Sequence, residues 1–433
     1  MGEGAREARE AGYSVRIRLL LTLVAFVVFF ATARAQSSAY AALAFVNSIC
    51  VNVHLHYTDT PYYSEWTTVK TKLTDLGITC YRDGATDTVS QFYYDRHEEL
   101  GGMGLQGIFI ADIAASSATL LDYPSRVPTA FYAWDGVNEY DLVYGAGFET
   151  PLAAQVPVLW TNRGGFPTYG PSLTSEGAYD LLGNVGSYVD AATVHPYYSG
   201  RHPETGGWGA NAYGSTTWTL ENASTQAPGK PVIATETGYF TDSTIAEYVS
   251  EAVHAKYMVR LLLEHYRVGI TKNYIYELID FPGSGTPGLH GYGLLREDMT
   301  EKPAFVAVEA LIDLLGDTGN ARPVDNLSYT LTGAGADVRE MVFNKGDGSF
   351  YLALWTAQSG WNQATSMAET VTDDPVTVEI SGYVVATRIH VFQADGTIVP
   401  VAISGDPKSF GVTVTDRVQI VEIRPSPARM RRL

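Results

Sequence analysis

Short apolar runs alternate with longer amphipathic stretches over most of the first three quarters of the chain. The apolar runs are rich in β-branched and aromatic residues and predict buried strands, while helical spacing of apolar positions predicts helices between them. The predicted strands are 49–55, 79–83, 107–111, 131–134, 156–160, 191–195, 231–235 and 271–276. The predicted helices are 64–76, 88–100, 175–183, 244–266 and 302–315. This alternation predicts an α/β fold, a (β/α)8 TIM barrel.

Two units of the alternation are irregular. The residues between the third and fourth predicted strands leave little room for a helix, and residues 196–219 predict a long loop rich in glycine, tyrosine and tryptophan. An open doubly wound sheet would also alternate, but no glycine-rich phosphate turn follows the first predicted strand. The barrel is therefore the favoured fold.

The pattern changes after Pro323. The runs 338–344, 350–356, 376–380, 387–392 and 418–422 are short, β-branched and separated by turn residues, which predicts an antiparallel β-sandwich. We expect this sandwich to pack on the barrel. Polysaccharide binding is the alternative, although no aromatic row stands out beyond Trp355 and Trp361.

The first 35 residues predict a secretory signal peptide. Arg16 and Arg18 precede the apolar run 19–33, which is followed by a small-x-small cleavage site, Ala33-Arg34-Ala35. The run is shorter than the roughly 20 residues of a spanning helix, so cleavage is favoured over a membrane anchor. The predicted organisation is a signal peptide 1–35, barrel 36–320, sandwich 321–425 and basic tail 426–433, in a secreted (extracellular or periplasmic) protein.

The net charge of the chain argues against two classes of partner. The formal net charge of −18 disfavours nucleic acid and anionic membranes as partners.

Cys50 and Cys80 fall in the first two predicted strands. Secretion permits a disulfide, but bridging adjacent parallel strands is geometrically demanding, so buried free thiols are favoured.

Two glutamates follow apolar runs at corresponding positions. Glu139 closes the run Phe131-Tyr-Ala-Trp-Asp-Gly-Val-Asn-Glu, and Glu236 closes Lys230-Pro-Val-Ile-Ala-Thr-Glu. Barrels build their active sites at the C-terminal ends of their strands. Capping of a following helix would explain either glutamate alone, but two at strand tips favour a catalytic pair, the equipment for cleaving a glycosidic bond.

The motifs Asn138-Glu139 and Thr235-Glu236-Thr-Gly resemble the acid/base and nucleophile strands of clan A glycoside hydrolases, of family 39 or a related one. The resemblance implies that Glu139 is the acid/base, Glu236 the nucleophile of a retaining reaction, and that Asn138 binds the sugar 2-hydroxyl. It also implies that Arg82, in Tyr81-Arg-Asp-Gly, keeps the nucleophile ionised.

The resemblance extends to His195-Pro-Tyr197, which is similar to the residues that position the nucleophile. Two departures from the clan pattern are Tyr140, where proline is usual, and the eighth strand, which ends Tyr276-Glu277 without the usual tryptophan. The further substrate-binding candidates are Trp134, Trp160, Trp208, His54 and Glu277.

Parts of the sequence are also compatible with two other functions. His54 and His56 could bind a metal as in amidohydrolase barrels, with Glu139, His195 and Asp280, but the fifth predicted strand has no histidine. A catalytically silent carbohydrate-binding barrel is the other alternative, and it is favoured over the metal-dependent one. The glycoside hydrolase hypothesis is favoured. It predicts a carbohydrate substrate, no metal, no cofactor, no nucleic-acid or membrane partner after signal cleavage, and a monomer.

Overall fold

The computed structural model describes residues 38–85, 90–281, 291–317 and 324–426. The predicted signal peptide, the predicted boundary near residue 320 and the predicted tail from residue 427 lie outside the described residues. Within these ranges, no helix is both long enough and apolar enough to cross a membrane.

The strands of the N-terminal part alternate with helices. In chain order the strands are β1 Tyr40–Ala41, β2 Ile49–Asn52, β3 Cys80–Gly84, β4 Gln106–Ile110, β5 Phe131–Asp135, β6 Ala192–Val194, β7 Val232–Thr237 and β8 Ile270–Ile275. Among the described residues, β2 to β8 form one curled parallel sheet in the order β5-β4-β3-β2-β8-β7-β6.

Helices separate the strands along the chain. They are α1 Ala42–Val46, α2 Pro61–Ser64, α3 Trp66–Asp75, α4 Gln91–Gly102, α5 Ser117–Arg126, α6 Tyr140–Tyr144, α7 Glu149–Asn162, α8 Ala178–Leu182, α9 Thr216–Gln226, α10 Glu251–Val268 and α11 Pro303–Leu315. The expectation of little room for a helix between the third and fourth strands was wrong. Helix α5 fits there, although Pro124 lies inside it and breaks its sequence pattern.

Residues 167–172 join the two edges of the sheet. Thr168 bridges Trp134 of β5, and Tyr169 bridges Ala191 beside β6, both in parallel. The segment forms isolated bridges because its two prolines lack an amide donor. The strand predicted at 156–160 was wrong, since those residues lie in α7. There, Leu152, Val156 and Leu159 are buried at helical spacing.

The barrel wall has eight segments, which are β2 to β8 with their adjoining residues and the segment 167–172. Each contributes one side chain to an apolar layer in the barrel interior. This apolar layer consists of Cys50, Cys80, Ile108, Ala133, Tyr169, Ala191, Ile233 and Tyr274. Two residues further along their strands, Asn52, Arg82 and Asp135 are also buried. Because side chains alternate along a strand, these polar residues form the next layer towards the C-terminal ends.

Cys50 and Cys80 are joined by a disulfide, so the prediction of free thiols was wrong. The register pairs Val51 with Tyr81, which sets the two cysteines side by side on neighbouring strands. Their Cα atoms are 4.9 Å apart, within the range that a disulfide spans. The interior face of adjacent parallel strands therefore accommodates the bridge.

A β-sandwich follows the barrel. Its strands are β9 Tyr329–Thr332, β10 Val338–Asn344, β11 Phe350–Thr356, β12 Trp361–Asn362, β13 Met367–Ala368, β14 Asp374–Ile380, β15 Val384–Phe392, β16 Ile398–Ala402, β17 Ser409–Val414 and β18 Gln419–Pro425. In the described part of the chain, one sheet has the order β1-β10-β11-β18-β15-β16 and another β17-β14-β9. The N-terminal strand β1 thus completes the larger sheet.

The sandwich packs on the barrel through its tryptophans. Trp355 is fully buried and Trp361 is 6% exposed. The Trp361 indole donates to the backbone oxygen of Tyr248, at 3.0 Å, in the segment after β7. Neither tryptophan is therefore part of an exposed binding face.

Candidate active site

Glu236 lies near the end of β7, at the mouth of the barrel. The register between β7 and β8 shifts between Ala234 and Thr237, and a shift of this kind re-aims a side chain that strict alternation would turn outward. Thr235 contacts Ser172 across the interior, with 2.9 Å between their hydroxyl oxygens. Both Thr235 and Glu236 therefore face the inside of the mouth.

Arg82 on β3 holds the two predicted catalytic strands together. Its Nη1 donates to Glu236 Oε1 and its Nε donates to Asp135 Oδ2, both at 2.6 Å. Its Nη2 donates to Asn138 Oδ1, also at 2.6 Å. Because the Asn138 oxygen accepts from Arg82, the amide nitrogen of Asn138 is left to donate to another group.

The surroundings of Glu236 favour its ionised form. Burial on its own raises the pKa of Glu236, but the charges of His195 and Arg82 outweigh burial and lower this pKa below its ordinary value. Tyr197 Oη donates to Glu236 Oε2 at 2.9 Å. Burial raises the pKa of Tyr197, so its hydroxyl keeps the proton that it donates. A carboxylate held ionised in this way has the properties of a nucleophile.

Glu139 directly precedes α6 and has a left-handed backbone, with φ 44° and ψ 40°. This conformation costs a non-glycine residue on the order of 1 kcal/mol, so the surrounding structure must hold it. The carboxylate of Asp141 accepts from the backbone amides of Thr174 and Ser175, and Glu139 itself donates its backbone N–H to the Ser172 oxygen at 2.9 Å. These bonds fix the turn that presents Glu139.

His195, just after β6, lies between the two glutamates. Its Nδ1 is 2.6 Å from Glu139 Oε1 and 3.7 Å from Glu236 Oε2. Its Nε2 is 3.1 Å from the Thr235 hydroxyl oxygen. The resemblance implied a role on the nucleophile, whereas the nearer carboxylate is that of Glu139.

The separation of the glutamates limits the reactions they can support. One oxygen of each carboxylate and one ring nitrogen of His195 all lie within 4.8 Å of one another. Retaining glycosidases place their carboxyl groups about 5–5.5 Å apart, and inverting ones about 6.5–9.5 Å apart. The short separation suits direct attack by one carboxylate rather than attack by a water held between the two.

The same three side chains could hold a metal ion. Glu139, His195 and Glu236 offer a carboxylate–imidazole–carboxylate set of the type that zinc or manganese accepts. Arg82 already occupies one oxygen of Glu236, and its positive charge opposes a cation beside it. The expectation that the protein needs no metal stays a prediction.

His54 and His56 follow β2 and contact different carboxylates. His54 Nε2 lies 3.0 Å from Glu277 Oε2, and His56 Nδ1 lies 3.5 Å from Asp83 Oδ1. Among the described residues, neither histidine belongs to a group of three potential metal ligands. Asp280 is instead paired with Lys302. The ligand set of an amidohydrolase-type barrel is therefore not assembled around this pair.

Glu277, the predicted substrate contact on the eighth strand, is buried beside His54. Burial opposes a charged His54, but contact with Glu277 outweighs it and raises the pKa of His54. Burial also raises the pKa of Glu277. Tyr57 stacks on His54 with 4.8 Å between ring centroids. The Glu277 side chain has no exposed surface, whereas that of His54 is 16% exposed, so Glu277 supports His54 and only His54 can reach a ligand.

Two of the three tryptophans predicted to contact the ligand lie elsewhere. Trp134 is fully buried and packs on Phe131, 5.0 Å away between ring centroids, because it alternates along β5 with the inward-facing Asp135. Trp160 lies on α7, and the guanidinium of Arg163 covers its ring at 3.3 Å. We therefore remove both from the substrate-binding candidates.

Trp208 keeps its place as a candidate. It lies partly exposed in the loop after β6, where the Arg201 guanidinium lies 4.4 Å from its ring centroid. Tyr213 packs on Trp208 edge-on, and Trp218 packs on Tyr213. This aromatic cluster gives the glycine-rich loop a defined conformation.

Two buried residues of the site were not predicted from the sequence. Asp135 pairs with Arg82, and Asn52 Oδ1 accepts from Arg82 Nη1 at 3.1 Å. Each lies two residues after an interior apolar residue, Ala133 and Cys50 respectively. The period of two along a strand was the signal that could have placed them on the interior face.

Three solved structures have a similar architecture. A family 39 glycoside hydrolase from the gut symbiont Bacteroides cellulosilyticus WH2 aligns over 89% of this chain and 83% of its own, with a TM-score of 0.61 and 14% identity. The GH51 arabinofuranosidase from Xanthomonas axonopodis pv. citri aligns over 90% and 98%, with a TM-score of 0.56 and 10% identity. A glucosidase from Croceicoccus marinus aligns over 82% and 92%, with a TM-score of 0.54 and 10% identity.

The chain has the fold of these glycoside hydrolases. Because the identities are only 10% to 14%, the similarity shows the fold alone. It confirms, for the fold, the resemblance to clan A glycoside hydrolases inferred from the motifs. No protein-family model and no curated protein matches the sequence.

Proposed function

We propose that the protein is a secreted retaining glycoside hydrolase that cleaves β-linked glycosides of an oligo- or polysaccharide. Glu139 is the acid/base and Glu236 the nucleophile. The observation that carries the proposal is that one oxygen of each lies within 4.8 Å of the other, while Arg82 and Tyr197 both donate to Glu236. This combination matches the geometry of a retaining site.

In the first step, an oxygen of Glu236 attacks the anomeric carbon of the sugar. The bond between that carbon and the leaving oxygen breaks as Glu139 gives its proton to the leaving oxygen. The product is a covalent glycosyl ester of Glu236. Arg82 and Tyr197 orient the attacking carboxylate through their hydrogen bonds.

In the second step, the deprotonated Glu139 accepts a proton from water, and the water oxygen attacks the anomeric carbon. The ester bond to Glu236 breaks and the carboxylate is released. Two displacements at one carbon return the original configuration. His195, with Nδ1 2.6 Å from Glu139 Oε1, holds the acid/base in place through both steps.

Substrate recognition is assigned to the groups around the glutamates. The Asn138 amide nitrogen donates to the sugar hydroxyl next to the anomeric carbon, since Arg82 occupies the amide oxygen. His54 binds a further hydroxyl while the buried Glu277 holds its ring at 3.0 Å, and Trp208 offers an aromatic face in the loop after β6. Aromatic faces stack on the apolar faces of sugar rings.

The proposal is tested on a panel of β-glucans, xylan, mannan and galactans, with the anomeric configuration of the first product followed by NMR. We expect hydrolysis of at least one polymer with retention. Binding without turnover by the folded protein would support a silent carbohydrate-binding barrel. Loss of activity on exhaustive chelation, with recovery on adding zinc or manganese, would support metal-dependent hydrolysis instead.

A further inference from the structure

A buried carboxylate joins the sandwich to the long loop after β6. The Glu204 side chain is 1% exposed. Arg260 of α10 donates to both of its oxygens, and the indole of Trp355 in β11 donates to Glu204 Oε1 at 2.6 Å. A buried charge needs such partners, because an unpaired one is strongly destabilising. The sandwich therefore supplies part of the site that holds this loop.

The sandwich contacts the same loop at a second point. The side-chain amide of Gln363, between β12 and β13, donates to the backbone oxygen of Ser199. Arg260 extends the contact, because it also donates to the backbone oxygen of Gln358 at 3.0 Å. The segment from Ser199 to Glu204 is thus held at both ends by sandwich residues.

This segment begins two residues after Tyr197, which donates to Glu236. The intervening residue, Tyr198, is buried, and its hydroxyl contacts Thr216 and His265 of the barrel. The backbone that positions Tyr197 is therefore fixed by the barrel on one side and by the sandwich on the other.

We propose that the sandwich is a positioning element for the reaction: Trp355 and Gln363 hold the segment from Ser199 to Glu204, and this keeps the Tyr197 hydroxyl on Glu236. This inference rests on the proposed function. It gives the C-terminal domain a role in catalysis through Tyr197, and not through contact with the sugar.

The pH dependence of kcat/KM tests whether the sandwich positions Tyr197. Its acid limb is the fall of kcat/KM at low pH, and it reports the protonation of Glu236, which must be ionised in the free enzyme to attack. The hydrogen bond from Tyr197 is one cause that lowers the pKa of Glu236, after burial, which raises it, and the effects of His195 and Arg82. The charged and titratable groups that face Glu236 from the surrounding elements are Arg82, His195, Tyr197, Glu139, Asp135, His54, Tyr57, Tyr276, Glu277 and Tyr292.

Trp355→Phe removes the indole donor and keeps most of the packing. We expect kcat/KM to fall about tenfold, as for other small displacements of a positioned group, and the acid limb to rise by roughly half a pH unit. Circular dichroism establishes that the variant is folded over the assay range. If Trp355→Phe does not fold, the partly exposed Gln363→Ala variant is tested in its place, with the same expected direction.

Two further variants separate positioning from loss of stability. Tyr197→Phe should raise the acid limb by itself, and Trp355→Phe should then add no further shift, because the two act through one hydrogen bond. Lys345→Met removes another bond across the same domain boundary, to the backbone oxygen of Leu314, far from the loop in sequence. It should leave the acid limb in place.

An acid limb unmoved by Trp355→Phe but moved by Tyr197→Phe would overturn the inference and leave the proposed function intact. A shift from Trp355→Phe that persists in the Tyr197→Phe background, or that Lys345→Met also produces, would mean general destabilisation and would equally overturn it. Failure of Tyr197→Phe to move the limb would overturn both the inference and the role given to Tyr197.

Discussion

Arg82 Nη1 donates to Glu236 Oε1 at 2.6 Å, and their side chains are only 2% and 11% exposed. Such a pair is held in one geometry, because each group would be costly to leave unpaired in the interior. Asp135 pairs with the same guanidinium, so two carboxylates share one cation. Glu236, the proposed nucleophile, is thus held in place by Arg82, whose guanidinium cannot lose its proton at physiological pH.

The first prediction concerns Arg82. Arg82→Lys keeps the charge, but its donors all lie on one nitrogen and cannot reach the four acceptors that the three guanidinium nitrogens contact. We therefore expect kcat/KM to fall at least about 100-fold. Arg82→Met leaves two buried carboxylates uncompensated and should lower the free energy of unfolding by about 3–5 kcal/mol. Steady-state kinetics and urea unfolding measure the two effects.

The matched control is Arg126, whose ion pair with Asp122 is about half exposed. Arg126→Met should change neither activity nor stability measurably, because exposed pairs contribute little. Near wild-type kinetics in Arg82→Lys would show that the positive charge alone suffices and that the hydrogen-bond geometry of the guanidinium has no role.

A second prediction follows from the role of Glu139 in protonating the leaving oxygen. Glu139→Ala should slow hydrolysis of unactivated glycosides by about 10²–10⁴-fold, and aryl glycosides with good leaving groups much less. Azide should restore turnover and give a β-glycosyl azide. Equal losses on both substrate types, with no response to azide, would remove Glu139 from this role.

The third prediction is a pH dependence of stability that comes from Glu204. Burial alone would raise the pKa of Glu204, but Arg260 and His202 lower it to about 2, from an ordinary value of 4.5. Because the folded state favours the ionised form, its contribution is complete above pH 4.5 and is lost as the pH falls towards 2. A shift of this size corresponds to about 3 kcal/mol.

Urea unfolding between pH 3 and pH 7 tests this dependence. The stability difference between the wild type and Glu204→Gln should be largest at neutral pH and should shrink as the pH falls below about 4.5. The exposed Glu379→Gln serves as a control with no expected difference. A gap for Glu204→Gln that stays constant with pH would refute the assignment.

The fourth prediction concerns the disulfide between Cys50 and Cys80, which closes a loop of 30 residues. Replacing both cysteines with alanine should lower the free energy of unfolding by about 3 kcal/mol, mainly because the unfolded chain gains freedom. Alkylation of the denatured, unreduced wild type should leave both cysteines unlabelled. Full labelling without a reductant would contradict the bridge.

Most strands were predictable because their apolar runs are continuous and β-branched. The predicted ranges 338–344 and 350–356 coincide with β10 and β11. The fifth segment of the barrel wall, between β5 and β6, was not predictable in this way. Residues 167–172 contain two prolines and a glycine and form only isolated bridges, so no apolar run marks them. The apolar residues of α7 predict a strand instead, because Val156 and Val158 are β-branched.

The position of the glutamates at strand ends followed from sequence, but their partners did not. Glu236 faces the mouth because of a register shift between β7 and β8, which depends on tertiary pairing. The contact of Glu204 with Trp355 joins residues 151 positions apart, and no local pattern encodes it. Alternation along β5, in contrast, could have separated the inward Asp135 from the outward Trp134.

The covalent glycosyl-enzyme on Glu236 can be trapped and identified. A 2-deoxy-2-fluoro glycosyl fluoride of the preferred sugar slows both steps, but its good leaving group restores the first, so the adduct on the nucleophile should accumulate. Intact mass spectrometry should show one added sugar, and peptide mapping should find it on Glu236. The adduct should hydrolyse slowly to a product of retained configuration. Label on another carboxylate, or an inverted product, would show that Glu236 is not the nucleophile of a retaining reaction.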